Sequence, residues 1–238
     1  MNLNPTFLLE KTQIQLPLIA FYDAPETKSF EPTITPNKQG RACMFAFYKK
    51  WLEGKTVILT KENYGCGGAS MHLFNQPLRS HEEFVSFLAD EEGLKANHAL
   101  MDDWIRESHE YTPEHEFILY GPLKDEVYEF AKTITFLVNP DQLSMLMIGA
   151  QYYATKYDPT PVIAPFGSGC MLSVSLFDDL DKPQAIIGAT DMAMRQYLPP
   201  DIMAFTVTKP MYERMCQLDE NSFLEKGFIK QLKKVRGI

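Results

Sequence analysis

Cysteines next to glycines are the residues of this chain best placed to do chemistry. Cys66 stands in "YGCGGAS" (64–70) and Cys170 in "FGSGCML" (166–172), each directly after a glycine. Glycine supplies left-handed or closely approached backbone, and a helix start exposes N–H groups that favour an anion such as a thiolate. A thiol so placed is expected to have a lowered pKa and an accessible sulfur. Three chemistries follow. Thiolates of Cys43, Cys66 and Cys170 would bind a metal or an iron–sulfur cluster if the fold brings them together. Cys66 or Cys170 would serve as a nucleophile or redox thiol, given an activating base or a resolving cysteine. Alternatively, the turns containing Gly67, Gly68 and Gly169 would hold an anionic ligand through backbone N–H groups, with Arg41 or Arg195 neutralising it. Cys216, in "YERMCQL", reads as a small core hydrophobe.

Other motifs narrow the field by their absence. The cysteine spacings of 23, 104 and 46 match no zinc-ribbon or ferredoxin pattern. No Gly-x-Gly-x-x-Gly follows a strand, and "GCGGAS" lacks the Lys-Ser/Thr of a phosphate-binding loop. There is no His-Glu-x-x-His, no Gly-x-Ser-x-Gly and no Cys-x-x-Cys. His72 follows Cys66 by six residues, whereas His81, His98, His109 and His115 lie in a polar, acidic stretch where surface placement is expected.

The elements that must position these residues repeat along the chain. Strand-like "LPLIAFYDA", helix-like "RACMFAFYKKWLEG" and strand-like "TVILT" precede the first Gly-Cys loop; "TITFLVNP", "NPDQLSMLMIGAQYYA" and "TPVIAPF" precede the second. In the second helix Asn139 caps, Pro140 suits the first helical position and Gln142 completes a capping box. Downstream, 101–123 and 190–211 share a helix, a proline break and a strand. The order predicts an α+β or α/β fold: a mixed sheet with flanking helices, internally duplicated with approximate two-fold pseudo-symmetry. The expected organisation is an extension over 1–15, a first repeat over 16–123, a connection over 124–130, a second repeat over 131–211 and a C-terminal helix over 212–238, with 16–211 as one compact domain. Equivalent loops are expected to face one another, bringing Cys66 beside Cys170.

Composition sets the wider limits. Twenty-three basic and 31 acidic residues give a net charge of −8, which disfavours nucleic acid as a partner. Eleven carboxylates between Glu82 and Glu116 are expected to form a solvated helical face. "SFLEKGFIKQLKKVRGI" is basic and spaces Leu224, Phe228, Leu232 and Val235 as one stripe; a helix docked on its own domain is the expectation, a membrane-surface helix the alternative. No long apolar run and no leader pattern is seen, so a cytoplasmic protein is expected.

The combination of "RACMFAFYKKWLEGKTVILTKENYGCGGA", "NPDQLSMLMIGAQYY", "FGSGC" and "IIGATDMAMRQYLPPDIMAFTVTKP" resembles a prokaryotic family known as domain of unknown function 169. The resemblance covers about 16 to 212 and points to Cys43, Cys66, Gly68, Ala69, Gln142, Gly169, Cys170, Gly188 and Arg195. Met194 stands where the family pattern has glycine. The family implies no reaction. The sequence therefore leads to a binding or redox protein that holds a cofactor, metal or small anionic ligand at paired Gly-Cys loops, with oligomerisation open. A cysteine-dependent enzyme acting on a small molecule, or an interaction domain with structural cysteines, is the alternative.

Overall fold

The computed structural model describes residues 4–36, 43–63, 66–107, 111–158, 162–163 and 179–237. Among the described residues eight strands form one mixed sheet: β1 (Ile19–Ala24), β2 (Thr33–Ile34), β3 (Thr56–Leu59), β4 (Phe117–Pro122), β5 (Thr133–Val138), β6 (Val162–Ile163), β7 (Ala185–Gly188) and β8 (Met203–Thr208). The sheet order is β2-β3-β4-β1-β5-β8-β7-β6, and the fold is α+β. β1, β3 and β5 are buried along their whole length, because helices cover both faces of the sheet; this is why they read as continuous apolar runs rather than alternating ones.

On one face Tyr22, Phe136, Phe205 and Val207 pack under helices α1 (Pro5–Thr12), α7 (Pro140–Gln151) and α9 (Lys209–Met215), which contribute Leu8, Met145, Leu146, Met211 and Met215. On the other, Phe21, Val57, Leu59, Ile118 and Tyr120 meet Met44 and Phe45 of a 3₁₀ turn (Met44–Phe47), Tyr48 and Trp51 of α2 (Tyr48–Leu52), and Ala69 of α3 (Gly67–His72). Met194 of α8 (Met192–Arg195) joins that second cluster. The capping box expected at α7 is present: Gln142 N donates to Asn139 Oδ1 at 2.9 Å and Asn139 N to Gln142 Oε1 at 3.0 Å. Gln142 Nε2 also reaches the Gln13 carbonyl at 2.7 Å, which ties α1 to α7. Residues 4–15 pack against the body, with Leu8 and Thr12 buried and Asn4 N donating to the Cys216 carbonyl.

Read inward from either edge, the strands run β2-β3-β4-β1 and β6-β7-β8-β5 with the same pairing senses: parallel, antiparallel, antiparallel. This order differs from the element matching expected from the sequence. β3 occupies the position of β7, one strand in from the edge, whereas β6 is an edge strand like β2. The two segments taken as equivalent helices pack on opposite faces, 44–52 in the second cluster and α7 in the first. Apolar periodicity reveals that a segment is buried but not which side of a sheet it covers. The two sets of four strands meet where β1 pairs β5 through only three residue pairs, Ile19↔Thr135, Ala20↔Ile134 and Phe21↔Thr133. β1–β4 and β5–β8 have six each.

Between β3 and β4 the acidic stretch forms α4 (His81–Ser86), a π-helical turn (Phe87–Glu91) and α5 (His98–Glu107). Val85, Leu88, Met101 and Ile105 give it a small core of its own, and Glu82, Glu83, Asp90, Glu91, Glu92 and Asp103 are exposed; α6 (Asp125–Tyr128) then lies between β4 and β5. Residues 212–238 are not one helix: they hold the end of α9, a 3₁₀ turn (Phe223–Glu225) and α10 (Gly227–Arg236).

Candidate functional site

Cys66 is the N-cap of α3. Its backbone is extended (φ −138°, ψ 160°), and its sulfur accepts the Ala69 N–H at 3.4 Å, the position that Ser or Asp oxygen fills in ordinary caps. The Cys66 carbonyl accepts from Ser70 N at 3.0 Å, and Ser70 Oγ donates to the Gly67 carbonyl at 2.7 Å. Buried Ala69, Leu73 and Phe74 hold the helix against the sheet, leaving Cys66 half-buried at its start. The expected role of the glycines changes here. Gly67 is helical with no positive φ, and a Cβ built on it meets nothing within 4 Å. Neither turn geometry nor close backbone approach requires glycine at 67; its consequence is open space. That space is a cavity of about 170 Å³ between α3 and α4, lined by Gly67, Met71, Asn75, Arg79, His81 and Phe84 among others. Arg79 lies 4.1 Å over the Phe87 ring, and His81 is held by Asp102, whose carboxyl the His81 and Arg106 contacts keep below the usual range.

Cys43 leads into the 3₁₀ turn with extended backbone and, like Cys66, packs half-buried against the second core cluster. Both thiols therefore belong to the same side of the sheet. Arg41, Gly169 and Cys170 lie outside the described residues. Among the described residues no group of three or more His, Cys, Asp or Glu side chains is placed to hold a metal ion. Arg195 lines an open cavity with Met192, Gln196 and Met203, and several of its donors are turned to its own loop. Its guanidinium donates to the carbonyls of Pro199 at 3.2 Å and Pro200 at 2.8 Å, and also to that of Ile202, which fastens the connection from α8 to β8. Cys216 is fully buried at the end of α9, and burial pushes its thiol up to about 12; it is a core residue.

Sequence reasoning missed Asp23. It is 3% exposed on β1 and accepts from Tyr111 Oη at 2.5 Å and from His115 N at 2.9 Å. Tyr111 N in turn donates to the carbonyl of buried His72 at 2.9 Å, so one tyrosine joins α3 to the central strand. The available signal was a carboxylate inside the apolar run "IAFYDA". Asp23 also borders a larger, charged cavity of about 470 Å³ with Glu114, Lys132, Lys209 and Glu213. There Lys132 Nζ pairs with Glu114 at 3.2 Å and Tyr128 Oη donates to Glu213 at 2.7 Å; charges that satisfy one another favour a structural role.

Fold and site together define an α+β protein with helices on both faces of a mixed sheet and a thiol capping a short helix beside a small cavity. The chain belongs to the family described as uncharacterised ArCR, domain of unknown function 169, whose model matches residues 15–217. No curated protein and no solved structure matches the chain. Among the described residues no helix is long and apolar enough to cross a membrane.

Proposed function

We propose that the protein is a thiol-based binding or redox protein for a small molecule, with Cys66 as the reactive group and the cavity beside Gly67 as the space its ligand enters. One observation carries this reading: the Cys66 sulfur accepts a backbone N–H at the first turn of α3 while the next residue lines a cavity and has no side chain to close it. Met71 and Phe84 offer apolar contact there and Arg79 a positive charge, a lining suited to a small organic anion. Limited iodoacetamide labelling, mapped by mass spectrometry on the folded protein, tests it. Cys66 is expected to be modified well before Cys216, and Gly67→Leu, which fills the cavity mouth, to slow that reaction. Labelling of Cys66 no faster than Cys216 would refute the reading.

Cys43 and Cys66 on one side of the sheet also favour a second reading, a thiolate-bound metal or iron–sulfur cluster. Metal analysis of anaerobically purified protein, with a visible band near about 400 nm for a cluster, supports it; a colourless, metal-free sample rejects it.

We further infer an internal duplication in a register set by the sheet rather than by the Gly-Cys pairs. β2 and β6 lead into "ITPNKQGRACM" (34–44) and "IAPFGSGCM" (163–171), both of the form Ile-x-Pro followed by Gly-x-x-Cys-Met. In that register Cys170 corresponds to Cys43, and Asp191, the N-cap of α8, corresponds to Cys66. Antiparallel neighbours such as β1 and β5 are exchanged by an axis perpendicular to the sheet, which carries equivalent loops to opposite ends. Cys170 is therefore expected to match Cys43, not Cys66, in labelling rate; the reverse would return the repeat to the Gly-Cys register.

A further inference from the structure

The apolar stripe of the basic segment divides in two. Leu224 is buried, but Phe228 is 87% and Val235 73% exposed. Seven residues apart, they lie nearly in line on α10, and Ile229, about 100° round the helix, packs against the first core cluster. α10 runs antiparallel to α7. Arg236 Nε donates to Asp141 at 2.7 Å at one end, and the ring of Tyr152 lies 5.7 Å from that of Phe223 at the other. Asp141, Ile148 and Tyr152 form one row of α7 on that side, and Ile148 and Tyr152 are exposed as well. Two neighbouring helices thus present large apolar side chains that no part of the described chain covers.

Charge decides what kind of surface would cover them. From Lys226 to Arg236 there are five basic residues and no carboxylate, in a chain whose net charge is −8. Lys230 pairs with Glu225 and Arg236 with Asp141, whereas Lys226, Lys233 and Lys234 enter none of the ion pairs among the described residues. Burial is the main reason the Lys233 ammonium lies below the usual lysine range, with Lys11 adding to the effect and Glu225 partly offsetting it. Exposed phenylalanine and valine with exposed Lys234 on the adjoining flank, on a helix that is basic all round, fit the boundary between anionic headgroups and acyl chains.

We propose that α10, with the adjoining edge of α7, docks onto an anionic phospholipid surface, Phe228 and Val235 entering the headgroup–acyl boundary, Lys234 reaching the phosphates, and the other basic residues of the helix adding to its positive potential. The docking is peripheral and leaves the Cys66 cavity, on the other side of the sheet, open to solution.

Co-sedimentation of the full chain with phosphatidylcholine vesicles, with and without about 30% phosphatidylglycerol, tests this. The wild type is expected to bind the anionic vesicles about tenfold more than the neutral ones, and to lose most of that binding as salt rises from about 0.1 to 0.5 M. Phe228→Asp is expected to lower binding about tenfold without changing the circular dichroism spectrum, since the side chain touches little in the fold. Lys233→Gln/Lys234→Gln provides an independent second variant with the same direction. Absence of sedimentation with anionic vesicles, or equal binding by wild type and Phe228→Asp, would overturn the proposal. So would a lipid-free dimer that Phe228→Asp dissolves, because the face would then be covered by a second copy of the chain.

Discussion

Raising the pH above 9 should unfold this protein through its core, and Cys216 makes the effect measurable. The thiol is completely buried, and burial is the main reason its pKa rises from an ordinary 9.0 to about 12; Glu213 adds to the rise and the Tyr212 hydroxyl partly offsets it. A raised pKa on an acid means that the native state keeps its proton where the unfolded chain has released it. Between pH 9 and 12 the unfolded state therefore binds fewer protons, and stability falls as pH rises. Three pKa units correspond to about 4 kcal/mol over the whole window, a large part of a total stability of about 5–15 kcal/mol. At about pH 10.5 roughly half of that, about 2 kcal/mol, has been lost. Cys216→Ala removes the titration at a cost of about 1 kcal/mol in packing. The variant should thus be less stable than the wild type at pH 8 and more stable at about pH 10.5. Urea titrations followed by Trp51 fluorescence would show the change as a relative midpoint shift of about 1 M, taking a slope near 2 kcal/mol/M. Tyr22 and Tyr111, pushed upward chiefly by burial, destabilise both proteins in the same range and cancel in the comparison; Tyr128 and Tyr212 are raised by burial and also by Cys216, so Cys216→Ala lessens their shift and changes stability in the same direction. A gap between the two proteins that stays constant from pH 8 to 10.5 would refute the argument.

Three further substitutions probe the frame around the site. Gly121→Ala should be severely destabilising, by about 3 kcal/mol, because a Cβ there would stand 2.3 Å from Thr56 Oγ1 and 2.9 Å from Thr56 Cα; a thermal midpoint within a degree or two of wild type would contradict it. Tyr111→Phe removes one of the two donors on buried Asp23 and should cost about 1–3 kcal/mol in urea titrations while keeping the ring contact with Phe21. Asn139→Ala should cost about 1 kcal/mol and speed hydrogen exchange in α1 as well as α7, since the capping partner Gln142 also holds the Gln13 carbonyl.

Much of the frame could be read from residues alone because its signals are local. β1, β3, β4, β5 and β8 are apolar runs bounded by proline or polar turns, and the Asn139 cap is visible in four consecutive residues. Cys66 at a helix start was legible for the same reason. What failed depended on long-range geometry. Cys43, Phe47 and Trp51 at four-residue steps suggested one helix from 41 to 54, yet the described part is a 3₁₀ turn followed by five residues of α-helix. The two-residue edge strands carry too little pattern to be recognised. The stripe from Leu224 to Val235 suggested a helix docked on its own domain, but helical periodicity does not state how much of an apolar face the body can cover. Asp23 was missed because its partner Tyr111 lies 88 residues away, and a lone carboxylate in a strand does not announce what it meets. That loop carbonyls take several of the Arg195 donors could not be read from the sequence, because the bonds depend on how the turn before β8 folds back.

The three-pair seam between β1 and β5 has a mechanical consequence. Losing a two-residue edge strand leaves a sheet otherwise intact, whereas this inner joint divides it in half and has only half the rungs of the β1–β4 and β5–β8 joints on either side of it. Residues 123–132 cross from one side of this joint to the other, so a cut there would leave two pieces each retaining four strands of the ladder. The pieces would have to find one another across a short strip of main chain reinforced by the helices on either face. Motions of the whole molecule would then be expected to divide it along this line, with Thr135 and Thr206, joined through their hydroxyls at 2.8 Å, travelling together on one side while the Cys66 helix and its cavity move as a block on the other.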